Sequence, residues 1–270
     1  MTVGSGPEVV VVLHEWLGDH SNYDSMLPYL SASRAQYIFA DLRGYGLSHG
    51  MTGTYSLEEA AGDVIALMDS LGHSHFHVVG HSMSGMIAQY MMTQWPERIK
   101  SVVAVSPVPA AGFKADAAAL ARLRAVITDE EAFRNAVTAR TSNRYGRAWV
   151  ERKMAIARRA APEAMLGYMA MFTGSDFADR TIGLTTPVAL ITGAQDIAFY
   201  SRAALEPQFQ RAFPRLQVAT INDAGHYAML ETPVLLAALI ERAVFAEPLI
   251  RTTRASRDGD PDNLAQSSVV

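Results

Sequence analysis

The chain has 270 residues, 49% of them hydrophobic, so it is long enough for one large α/β domain or two small ones and can bury a sizeable core. Its formal charge is −4 with both signs interspersed, which argues against a nucleic-acid surface, and the lack of cysteine excludes disulfides, thiolate nucleophiles and Cys-ligated metals. The residues before Val9 include no basic side chain and no long apolar stretch, and Val9–Leu13 is too short to cross a membrane. A cytoplasmic protein with no membrane or nucleic-acid partner is expected.

Val9–Leu13 reads as a buried strand bounded by Pro7 and Gly18. Tyr37–Ala40, Phe76–Val79 and Val102–Val105 share its β-rich character. A helix lies among them. Ser56 and Glu59 make a capping box, Val64, Leu67, Met68 and Leu71 an apolar stripe, and Gly72 a stop. Such alternation, with near-continuous apolar strands, predicts an α/β fold with a mostly parallel sheet covered on both faces.

From about 110 to 180 no strand is evident. The segment is rich in Ala, Arg and Met and reads as several helices, with Thr128 and Glu131 as a second capping box and Pro162 opening another helix. Val188–Thr192 and Leu216–Ile221 then resume the strands, and Pro233–Phe245 is an amphipathic last helix. The expected organisation is a core of residues 1–109 and 181–250 interrupted by a helical cap at 110–180. Residues 251–270, polar and rich in Asp, Ser and Arg, read as a disordered tail.

The most informative string runs from Val78 to Ala88: an apolar strand enters Gly80-His81-Ser82-Met83-Ser84 and a helix follows at once. A sharp strand-to-helix turn forces strained dihedrals on its central serine, and only small residues fit two positions to either side, here Gly80 and Ser84. Serine needs an adjacent base to be nucleophilic at neutral pH. On such an elbow the acid and then the histidine follow the serine along the chain. His226, in Asp223-Ala224-Gly225-His226-Tyr227 directly after a strand, is the candidate base. Asp196, after the preceding strand, is the candidate acid, with a loop histidine and a turn aspartate as the bland readings. Asp176 and Asp179 fall in the helical segment and read as solvated. His73, His75 and His77 read as a solvated strand edge, and no metal or organic cofactor is called for. Two backbone N–H groups must stabilise the oxyanion; Met83 supplies one, and Trp16, in the loop after the first strand, the other.

These strings resemble the α/β-hydrolase superfamily over almost the whole chain. Asp41-Leu42-Arg43-Gly44-Tyr45-Gly46-Leu47-Ser48 looks like its D-x-R-G-x-G-x-S loop, and Trp95-Pro96-Glu97-Arg98-Ile99 like its approach to the next strand. The chain departs from the pattern in having Glu15 after His14 instead of glycine, Ser84 in the elbow, and a first hairpin that is missing or vestigial. More narrowly, residues 14–23 and 80–85 look like serine esterases that open macrolide lactones. That likeness implies a macrocyclic lactone substrate and a role in antibiotic resistance.

The expected reaction is therefore hydrolysis of a carboxylic ester or lactone through an acyl-enzyme. Small esters, C–C bonds or perhydrolysis are alternatives on the same triad, and a ligand receptor is the non-enzymatic one. Glu15, with Asp19 beside it, would meet a cationic group of the substrate or else pair with a local arginine. Trp149, Met165, Tyr168, Met169 and Phe172 are candidate substrate contacts, although Met165, Met169 and Phe172 share a helical face that equally suits plain cap packing. The oligomeric state is left open.

Overall fold

The β-rich runs assemble into one sheet of β1 (Thr2–Val3), β2 (Glu8–Leu13), β3 (Ala35–Ala40), β4 (Phe76–His81), β5 (Ile99–Val105), β6 (Val188–Gly193) and β7 (Leu216–Ile221). The computed structural model describes residues 1–249, and the expected tail at 251–270 lies outside them. Across the sheet the order is β1-β3-β2-β4-β5-β6-β7. The pairings from β3 to β7 are parallel, and among the described strands β1 alone runs antiparallel, against β3. The first hairpin is thus vestigial: a two-residue edge strand.

Every residue of β4 and of β6 is buried. Successive side chains of a strand point to opposite faces, so burial of all of them means both faces are covered. That is why these strands read as unbroken apolar runs. Helix α1 (Leu57–Ser70) starts where Ser56 accepts a hydrogen bond from the Glu59 N–H, and the chain leaves it through Gly72 at φ +79°. Helix α2 (Met83–Gln94) follows β4 without a loop.

Between β5 and β6 lie α3 (Ala117–Thr128), α4 (Glu130–Ala139), α5 (Arg147–Ala157) and α6 (Pro162–Gly174). Pro162 opens α6 as expected. The cap of α4 is Asp129 rather than Thr128: Asp129 holds the extended backbone and its carboxylate accepts from the Ala132 N–H. After β6 come α7 (Arg202–Ala212), α8 (Ala228–Glu231) and α9 (Pro233–Val244). Among the described residues no helix is long and apolar enough to cross a membrane.

Strand order places the site. From β2 the chain moves to β3 on one side, yet β4 lies on the other side of β2, so the winding reverses between β2 and β4. Their paired ends, Leu13 opposite Gly80, bring the His14–Leu17 loop beside Ser82. Ligands of open α/β sheets bind at this reversal, beyond the carboxyl ends of the strands.

Candidate active site

Ser82 sits at φ +54°, ψ −114°, a conformation that L-residues rarely adopt. Its surroundings impose it. The Ser82 N–H donates to the Val105 carbonyl at 2.9 Å, and its own carbonyl accepts from Val108 at 2.8 Å and Gly85 at 2.9 Å. A Cβ on Gly80 would run into the Ser84 carbonyl, and one on Gly85 into Pro107, so both glycines are needed for the close approach. Ser84, the departure from glycine, has a use: its hydroxyl donates to the His14 carbonyl and ties the elbow to the loop after β2.

His226 follows β7 and Asp196 follows β6, so both reach the same edge of the sheet as Ser82. His226 Nδ1 lies 2.6 Å from Asp196 Oδ2, and both side chains are essentially without solvent contact. The other carboxylate oxygen of Asp196 accepts from the Ile197 N–H at 2.7 Å. A carboxylate at Nδ1 favours the tautomer with its proton there, which leaves Nε2 as the basic nitrogen. The loop is held at both ends of the residue: the His226 N–H donates to the Arg140 carbonyl at 2.8 Å, and His81 Nε2 bonds the His226 carbonyl at 2.8 Å. Burial, then the neighbouring His226, keeps His81 neutral by pushing its pKa well below the usual value.

Ser82 and His226 share one cavity but make no hydrogen bond to each other. Instead the Ser82 hydroxyl points to the Tyr200 hydroxyl at 3.4 Å. Tyr200 packs its ring on His226, with centroids 4.3 Å apart. Nucleophile–base bonds are often loose without substrate.

The loop after β2 leaves one N–H group open beside the cavity. The Leu17 N–H is taken by Glu15 Oε2, whereas neither the Trp16 nor the Met83 N–H donates to a loop or side-chain hydrogen bond among the described residues. Both residues line the cavity with Ser82. His14 braces the loop: its Nε2 accepts from the Leu42 N–H at 3.1 Å, so Nδ1 holds the proton and donates to the Glu15 carbonyl at 2.8 Å.

A family model for the alpha/beta hydrolase fold matches residues 8–149. The chain belongs to the α/β-hydrolase family. It is 38% identical over 105 residues to the dihydrolipoyllysine-residue acetyltransferase component of the acetoin cleaving system of Cupriavidus necator, a match that covers 39% of this chain and 28% of that protein. Several curated relatives are matched over only about a third of their own length. The 2-(acetamidomethylene)succinate hydrolase of Mesorhizobium japonicum is 28% identical over 244 residues, with 85% of each chain covered. Among solved structures, the enol-lactonase of Burkholderia xenovorans superposes with a TM-score of 0.78 at 22% identity, covering 91% of this chain and 95% of that one. At that identity the likeness is one of fold.

In this α/β-hydrolase Glu15 is not available to a substrate cation. Its carboxylate accepts from Lys153 Nζ at 2.7 Å and Asn22 Nδ2 at 3.1 Å, and Lys153, fully buried on α5, also donates to the Leu17 carbonyl. Burial alone would raise the Glu15 pKa, but Lys153, together with His81 and His226, outweighs it and holds the carboxyl at about 2. The expected arginine partner is a lysine, and Asp19 caps the next turn and pairs with Arg159 at 2.8 Å.

The cavity beside Ser82 is small, with room for little more than a water molecule at about 20 Å³. Of the expected substrate contacts, Glu15 and Phe172 line it, Glu15 with its carboxylate held by Lys153 and Asn22. Trp149, Met165, Tyr168 and Met169 lie outside its lining. Trp149 stacks on Tyr145 at 4.5 Å, and Tyr168 packs against Tyr45 and Tyr55. Met165 offers its backbone carbonyl to Trp16 Nε1 at 2.8 Å, and Met169 is buried in the apolar core. The helical stripe is thus mainly packing. Sequence reasoning missed Tyr200 and Arg140 on the cavity wall and Lys153 behind it. Tyr200 carries a faint signal, an aromatic four residues past the acid. Arg140 and Lys153 carry none, because an arginine or lysine on a helix is ordinarily solvated.

Proposed function

We propose that the protein is a serine hydrolase that cleaves a carboxylic ester or lactone through an acyl-enzyme. The observation that carries this reading is the 2.6 Å pair of His226 Nδ1 and Asp196 Oδ2, with His226 on the same cavity wall as the strained Ser82. Ser82 turns from Tyr200 to His226 and attacks the carbonyl as Nε2 accepts its proton. Asp196 holds the imidazole and stabilises its charged form. The Trp16 and Met83 N–H groups meet the oxyanion, each contributing roughly 3 kcal/mol. His226 then protonates the leaving alcohol and activates the water that releases the acyl group. The helices at 117–174 act as a cap over this chemistry.

A family member of similar length acts, by its name, as a hydrolase, and a member of the same fold as an enol-lactonase, which supports carbonyl chemistry in general. The finer reading, opening of a macrolide ring, is supported by the likeness of residues 14–23 and 80–85 alone. A cavity of about 20 Å³ holds neither kind of substrate as it stands; a macrocycle requires the cap to move far away, whereas a small ester or lactone requires a lesser opening. The test is burst release of p-nitrophenol from short acyl esters, compared with Ser82→Ala. Repeated turnover that Ser82→Ala abolishes supports the reading, and absence of any acyl-enzyme overturns it. A mass increase of one water in macrolides incubated with the protein would favour the macrocyclic reading.

A further inference from the structure

Arg140 stands at the C-terminal end of α4 and lines the cavity together with Ser82, His226 and Tyr200. Its place is fixed by the backbone. Its carbonyl accepts the His226 N–H at 2.8 Å, and a side chain on Gly225 would collide with that same carbonyl. The guanidinium has five N–H donors. The described residues satisfy it through a single bond, Nη1 to the Ala136 carbonyl at 2.9 Å. No carboxylate among them lies within ion-pair distance of it.

The neighbouring acids are all committed elsewhere. Asp196 divides its oxygens between His226 and the Ile197 N–H. Glu15 is bound by Lys153, Asn22 and the Leu17 N–H. Glu231 holds Arg144 and the N–H groups of Gly225 and Tyr227. The contrast with Lys153 is plain: that buried cation has its carboxylate at 2.7 Å. Arg140 is only partly buried, but a cation at the wall of a cavity with no counter-ion beside it is favoured further when an anion arrives.

We infer that Arg140 is the binding residue for a carboxylate carried by the substrate, so that the Ser82 site takes small esters or lactones bearing an acid group. This rests on the hydrolase reading above for the bond that is cleaved, but not for the anion site itself. Guanidinium suits the role because its planar fork matches a carboxylate with two parallel hydrogen bonds. An ammonium group brought to the same place would meet like charge.

The experiment compares mono-p-nitrophenyl glutarate with p-nitrophenyl pentanoate, nearly the same in size and differing in charge. Wild-type protein is expected to prefer the anionic ester in kcat/KM. Arg140→Gln should lower that preference at least ten-fold, mainly through KM, and Arg140→Lys should recover part of it. A preference that is absent in wild type, or equal in wild type and Arg140→Gln, overturns the inference. If Arg140→Gln does not fold, competition in the wild type decides: glutarate should inhibit hydrolysis of the neutral ester competitively and glutaramide should not, and equal inhibition by both counts against it. Calorimetric titration of Ser82→Ala protein with glutarate separates the two readings. Glutarate binding without ester turnover in the wild type would sink the hydrolase reading and leave the anion site standing, and turnover without glutarate binding would do the reverse.

Discussion

Glu15 and Lys153 form an ion pair across the boundary between the loop after β2 and helix α5, with Nζ 2.7 Å from Oε1 and neither side chain more than 2% exposed. The same lysine bonds the Leu17 carbonyl, and Trp16 between them donates its indole N–H to the Met165 carbonyl on α6. The loop that offers the Trp16 N–H to the cavity is therefore held by the helices of the insert. A residue that departs from the family pattern, Glu15, makes this attachment possible.

Breaking one side of the pair leaves a buried charge without a partner. Lys153→Met should destabilise the fold by about 3–5 kcal/mol, and Glu15→Met/Lys153→Met by clearly less, because the double variant strands no charge. Urea unfolding of the two variants checks the ordering; equal losses would mean the charges are not coupled.

The pair also sets an acid limit. The Glu15 carboxyl titrates at about 2 in the fold against a usual 4.5, so the unfolded chain binds its proton more tightly. Its contribution to stability is complete above pH 4.5 and is lost as pH falls towards 2. Stability measured between about pH 5 and pH 3 should fall more steeply for wild type than for the double variant.

Asp196→Asn should fold normally and lose about 10⁴-fold in kcat, since the amide favours the wrong imidazole tautomer. Tyr200→Phe should do much less. It removes the one side-chain partner that the Ser82 hydroxyl has among the described residues, at 3.4 Å, and frees it to turn to His226. Turnover of a p-nitrophenyl ester within roughly five-fold of wild type is expected, as befits the loss of one weak neutral hydrogen bond worth about 1 kcal/mol.

The cavity wall predicts acyl selectivity. Leu123, on α3, and Phe113 close it from the insert side. Leu123→Ala should widen it and shift the optimum towards longer acyl chains by two or more methylenes, each new buried methylene contributing about 0.8 kcal/mol. A chain-length series of p-nitrophenyl esters measures this, and an unchanged optimum would show that the acyl group lies elsewhere.

Much of the frame was legible because the signals were local. Strands β2, β4 and β6 are apolar on both faces and announce a covered parallel sheet; Gly80, Ser82 and Gly85 announce a turn that bulky residues would block. Helix α7 left no such trace, because Pro207 in its interior breaks the pattern that would mark it. The cap of α4 fell one residue from its expected place because Thr128 and Asp129 are both good caps, and only the backbone dihedrals choose between them. For the methionines of α6 the difficulty was different. A helical stripe shows that a face is buried but not against what, and Met165 and Met169 face the core rather than the cavity.

The sequence alone determined the covalent candidates and their order, Ser82, Asp196 and His226, since an elbow and two loops at strand ends are patterns of near neighbours. Only the tertiary structure decided which charges answer one another. Glu15 finds Lys153 from 138 residues away, while Arg140, joined through its backbone to His226, has no acid beside its guanidinium among the described residues. Pairing of charges depends on distance in space and on exclusion of water, and neither is written in the spacing of residues along a chain.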